Sequence, residues 1–67
     1  MSTIQVNGQT HPLESPVRVP ALLDTLGLAG KPVVIELNGE ALLRDDYPDT
    51  LVQPGATLEI VTLAAGG

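Results

Sequence analysis

Two Asn-Gly dipeptides, Asn7-Gly8 and Asn38-Gly39, each follow a short aliphatic run. Asn-Gly is the strongest short hairpin signal, because both residues tolerate the positive φ that a tight turn between antiparallel strands demands. Two such signals in 67 residues favour a small sheet built from hairpins. Before the first, Thr3–Asn7 alternates, with Ile4 and Val6 on one face. After it, Leu13, Ser15, Val17 and Val19 share one parity. Pro12 and Pro16 interrupt this second run and cannot donate to a ladder, so it reads as an edge strand or one broken by a bulge. Before the second turn, Val33–Leu37 reads as a central strand, with Val33, Ile35 and Leu37 inward. Glu40–Leu43 can return beside it.

One helix separates the two hairpin regions. Val19, Leu22, Leu23 and Leu26 fall at i, i+3, i+4 and i+7, the spacing of a single helical stripe. Pro20 suits the first turn, where its missing N–H is not needed, and Gly27 suits the C-terminal stop. No Ser, Thr, Asp or Asn stands immediately before Pro20 to cap the start. A helix this short is marginal alone and must form by docking its leucines on a sheet. From Arg44 to Gly55 periodicity is lost, and Pro48, Pro54 and Gly55 mark an irregular crossing with room for a short turn. Thr57–Leu63 is strand again, with Leu58 and Ile60 facing one way and Glu59, Val61 and Leu63 the other. One helix cannot cover both faces of a sheet, so the expected architecture is two-layer α+β. It is a mixed sheet of four to five strands packed on one short helix, in the element order of a ubiquitin-like β-grasp. The last strand would lie centrally, beside the first and parallel to it. Residues 1–63 then form the domain, and residues 64–67 a flexible diglycine tail.

Composition removes several kinds of chemistry. With no Cys, the chain has no disulfide, thiolate nucleophile or cysteine metal site. Ser2 and Ser15 have no base to activate them. His11 stands alone beside Pro12. Asp45, Asp46 and Asp49 surround Tyr47 and Pro48, but their spacing does not match a calcium loop, so a solvated loop without metal is expected. Tyr47, the sole aromatic, is expected to cover one end of the core with its hydroxyl in water. No catalytic residue and no bound cofactor is therefore expected. Three basic residues against eight acidic ones leave a net charge of −5. Arg18, Lys31 and Arg44 are far apart in sequence, so nucleic acid and anionic membrane are not expected partners. A basic protein surface is a better match. No apolar run approaches the roughly 20 residues of a membrane span, and no basic-then-apolar leader is visible. A soluble, cytoplasmic protein is expected.

Three stretches point to a family. They are "VIELNGEALLR" (Val34–Arg44), "GATLEIVT" (Gly55–Thr62) and the terminal Gly66-Gly67. Over essentially its whole length the sequence resembles the ThiS family of sulfur-carrier proteins. It is similar, more distantly, to MoaD, the small subunit of molybdopterin synthase. Many ThiS members carry Gly-Asp where this chain has Gly55-Ala56, a departure in a turn remote from the terminus. The resemblance implies a carrier rather than an enzyme. Gly67 would be adenylated and then converted to a thiocarboxylate. The implied partners are an E1-like adenylating enzyme of ThiF type, which uses ATP, a sulfur-donating enzyme, and thiazole synthase of ThiG type as acceptor in thiamine biosynthesis.

The chemistry of the end is consistent with that. An α-carboxylate is ionised at neutral pH and is a poor electrophile, so it must be activated before sulfur can be attached. Glycine at 66 and 67 permits close backbone approach inside a narrow partner channel. Ala64, Ala65, Gly66 and Gly67 reach roughly 13 Å at about 3.3 Å each. Val61 and Leu63, beside Glu59, are expected on the sheet face away from the helix, as a docking surface for the adenylating enzyme. Other readings stay open: a carrier for molybdopterin or another sulfur metabolite, a modifier joined to lysines, or a non-covalent β-grasp module in which the diglycine is incidental.

Overall fold

In the computed structural model, residues 1–63 are described; the tail expected at 64–67 lies outside them. Strands β1 (Thr3–Val6) and β2 (Gln9–Pro12) form the first hairpin, paired antiparallel from Thr3↔Pro12 to Val6↔Gln9. Then come β3 (Val17–Arg18), helix α1 (Val19–Thr25), β4 (Val33–Leu37) and β5 (Glu40–Ala41). A 3-10 helix, Arg44–Asp49, leads to β6 (Leu51–Val52) and β7 (Thr57–Thr62). The main sheet has the order β2-β1-β7-β4-β5. β7 is central: parallel to β1 and antiparallel to β4, from Val33↔Thr62 to Leu37↔Leu58. This is the expected mixed sheet with first and last strands adjacent.

Three boundaries differ from the sequence reading. The run after the first turn is not one strand. β2 stops at Pro12 on the sheet edge, the chain bends, and Val17–Arg18 pairs with Leu51–Val52 in a separate two-stranded ribbon. Two prolines within one run removed the donors that a continuous strand needs. The return after Asn38-Gly39 is two residues of strand, not four, although Leu42 still donates to the Ile35 carbonyl at 2.9 Å. β7 ends at Thr62, and the Leu63 N–H instead donates to the Pro32 carbonyl at 2.9 Å.

The helix shows how tertiary contacts replace a missing cap. Arg18 is its N-cap and makes no side-chain cap bond. The Val19 N–H donates instead to the Thr50 carbonyl at 3.1 Å, so the segment before β6 satisfies the helix start. At the other end Gly27 has φ +76, its N–H bonds the Asp24 carbonyl, and the Leu28 N–H reaches back to Leu23. That is a Schellman stop, and it needs a residue free to adopt left-handed φ. Leu22 and Leu23 are buried, and Leu26 and Leu28 pack on the core edge.

The core is Ile4, Val6, Val19, Leu22, Leu23, Ile35, Val52, Ala56, Leu58 and Ile60, with no buried polar residue among those described. Fully burying a large aliphatic side chain contributes about 1.5–3 kcal/mol, and nine of these ten positions are Ile, Leu or Val, in a domain with no disulfide. Ala56 is 5% exposed, so the residue that departs from the family's Gly-Asp pair joins the core rather than the surface of the turn. Tyr47 packs at the core margin as expected. Its hydroxyl, however, donates to the Val33 carbonyl at 3.3 Å instead of pointing only into water. A phenol at a core margin gains by satisfying a strand-end carbonyl.

Candidate functional site

The site is the end of β7 and the two surfaces that flank it. Two asparagines hold this strand. Asn7 has φ 52 and turns the chain out of β1. Its side-chain amide donates to the Ile60 carbonyl at 2.9 Å, and its side-chain oxygen accepts from the Ile60 N–H at 2.7 Å. The amide thus stands in for one further residue of a parallel partner strand. Asn38, with φ 51, holds the start of β7. Its backbone N–H donates to the Thr57 carbonyl at 2.7 Å, and its side-chain oxygen accepts from the Thr57 N–H at 2.9 Å. Both hairpin turns therefore clamp the strand that leads to the chain's end. Sequence reasoning found these residues as turn formers and missed them as clamps, because the partner lies 53 residues away for Asn7 and 19 for Asn38.

On the open sheet face, Val61 lies opposite Val34 and Glu59 opposite Glu36 across the β7–β4 ladder. Val61 is 58% exposed and Val34 47%. Alternation along β7 buries Leu58 and Ile60 against the helix layer and turns Glu59 and Val61 outward, as read from the sequence. Two glutamates facing each other cost stability, and the half-exposed valine pair beside them leaves apolar surface open on this face.

Leu63 sits elsewhere. Beyond the last strand residue it lines a groove of about 320 Å³, with Leu23, Val33 and Tyr47 inside and Lys31 and Arg44 on its rim. The three residues expected to form one docking face are thus split between two surfaces. Gly67, Ala64, Ala65 and Gly66 lie outside the described residues. His11 is half-buried opposite Ile4 in the first hairpin. Asp45, Asp46 and Asp49 lie exposed on the 3-10 helix, and no group of three or more His, Asp or Glu is placed to hold a metal ion among the described residues. In the described residues no helix is long and apolar enough to cross a membrane.

A two-layer domain with its central last strand parallel to its first, wrapped around one short helix, is a ubiquitin-like β-grasp protein. Comparison with known proteins narrows this. The ThiS family model matches residues 4–67. Over 64 residues the chain is 34% identical to the sulfur carrier protein ThiS of Thermus thermophilus, covering 96% of this chain and 98% of that one. It is also 34% identical over 62 residues to a thiazole synthase of Paramagnetospirillum magneticum. That match takes in 92% of this chain but only 19% of the longer synthase. The crystal structure of the thiamine biosynthesis protein ThiS from Geobacter metallireducens superposes with a TM-score of 0.82 at 32% identity, covering 97% of this chain and 99% of that one. The solution structure of a thiamine biosynthesis protein from the same organism gives 0.76 at 34% identity, covering 97% and 87%. The chain belongs to the ThiS family.

Proposed function

We propose that this chain carries sulfur for thiazole formation in thiamine biosynthesis, as a thiocarboxylate on Gly67. The observation that carries the reading is the ThiS family match, which spans residues 4–67 and so includes Gly66 and Gly67. The near end-to-end likeness to a sulfur carrier of nearly the same length supports it. The thiazole synthase relative, with a matching segment inside a longer chain, supports a synthase as the acceptor.

The reaction follows from the chemistry of a carboxylate. The Gly67 carboxylate attacks the α-phosphorus of ATP, and pyrophosphate leaves. The resulting acyl-adenylate has AMP as a leaving group. A sulfur nucleophile from the sulfur-donating enzyme attacks the carbonyl and displaces AMP. With hydrosulfide as that nucleophile, the C–S bond forms as the C–O bond to AMP breaks, and loss of the S–H proton leaves Gly67 as a thiocarboxylate. An E1-like enzyme of ThiF type performs the activation, and a thiazole synthase of ThiG type takes the sulfur. ATP is the partner's substrate; the carrier holds no cofactor in this scheme and catalyses no step. The compartment is the cytoplasm, where ATP-dependent activation has its nucleotide. Val61 and Glu59 on the open face, and Leu63 at the foot of the tail, are the docking residues. The tail itself, Ala64 to Gly67, threads the partner's channel.

Intact mass after incubation with ATP, the adenylating enzyme and a sulfide source tests this. The expected gain is that of one oxygen replaced by sulfur, absent when Gly67 is deleted or followed by one extra residue. No gain with an enzyme active on its own carrier would refute the reading.

A further inference from the structure

The chain has three basic residues in a molecule of net charge −5. One is engaged: the Arg18 guanidinium donates to the Pro48 carbonyl at 3.0 Å. The other two, Lys31 and Arg44, lie 13 positions apart in sequence, yet the fold brings both to the rim of the groove that Leu63 lines. Both are exposed, and neither takes part in a side-chain hydrogen bond among the described residues. Asp45 and Asp46 follow Arg44 directly but do not line the groove. The floor is aliphatic and aromatic, from Leu23, Val33 and Tyr47.

From these observations we infer that the groove is a docking notch for an acidic side chain, flanked by aliphatic surface, on the adenylating enzyme. The inference rests on the carrier reading and deepens it. Distance fixes the kind of role. Four residues separate the Leu63 rim from the reacting carboxyl, a reach of roughly 13 Å when extended. Lys31 and Arg44 therefore cannot touch the reacting atoms while the tail is threaded. They meet the enzyme at the mouth of its channel. The open sheet face presents Glu36 and Glu59, whereas the groove presents two cations. Opposite signs on neighbouring surfaces favour a single docking orientation, because the reversed orientation sets like charges together.

The test is steady-state thiocarboxylate formation by an E1-like enzyme from the same organism, varying carrier concentration, with wild type, K31Q/R44Q and K31E/R44E. Circular dichroism checks that each variant is folded; both positions are exposed, so the fold should be retained. The expected result is a KM raised several-fold in the neutral pair and about tenfold or more in the reversed pair, with kcat little changed. Rim charges act on encounter and are screened by salt, so the gap should shrink between about 0.05 M and 0.5 M salt. An unchanged KM overturns the inference, as does a loss confined to kcat. A lower KM in the reversed pair also overturns it, because the groove would then be holding the carrier's own carboxylate. Wild type inert towards the enzyme removes the carrier reading and this inference with it. Wild-type turnover with an unchanged variant KM removes this inference alone.

Discussion

Asn7 illustrates how one residue type serves two purposes. Its tolerance of positive φ makes the first turn, and its amide supplies two hydrogen bonds to Ile60 on the central strand. Asn38 repeats the turn and supplies one side-chain bond, to Thr57. A net hydrogen bond contributes about 0.5–1.5 kcal/mol. Asn7→Gly keeps the turn conformation and removes both bonds, so urea unfolding should show a loss of roughly 1–3 kcal/mol. Asn38→Gly should lose about half as much; equal losses would mean that the clamps are not what stabilises the strand. The turns were legible because Asn-Gly acts locally. The clamps were not, because no local pattern states which distant strand an amide will meet.

Helix α1 depends on both its neighbours in sequence and a stranger. Its stop was readable from Gly27, whose left-handed φ any side chain would strain. A Cβ added there meets nothing within 4 Å, so the cost of Gly27→Ala is conformational alone. The expected loss is about 1–2 kcal/mol, read from thermal unfolding followed by circular dichroism. A variant as stable as wild type would show that the Schellman stop contributes nothing. The helix start carried no signal in sequence, because its cap is the Thr50 carbonyl from the far side of the crossing. β6 was invisible for the same reason, and β3 was legible only as part of the broken run after the first turn. Two residues each set no period, and Val52, wholly buried, is placed by pairing with Val17 across the ribbon.

The sheet as assembled joins stability to recognition. β7 lies between β1 and β4: β1 pairs with Thr57 and Leu58, the Asn7 amide holds Ile60, and β4 runs alongside from Leu58 to Thr62. This placement also sets Glu59 against Glu36, a like-charge pair that costs stability, next to the exposed Val61–Val34 pair. If the open face meets a basic partner, Glu59→Lys should raise stability by up to about 1 kcal/mol in urea while slowing thiocarboxylate formation. Val61→Ser should slow the same reaction and leave the fold intact by circular dichroism. Unchanged rates in both variants would take the open face out of the partner interface.

Strand alternation, the single leucine stripe and the two Asn-Gly turns were enough to read a two-layer α+β domain, because each depends on backbone geometry within a few residues. The terminal diglycine and the two internal stretches were enough to point to the family. Strand order could be anticipated, but the meeting of Lys31 with Arg44, the parting of Leu63 from Val61, and the grip of Asn7 on Ile60 could not. Those arrangements join residues distant along the chain. They exist only once burial of the shared core has brought the elements together, since no short-range preference selects them.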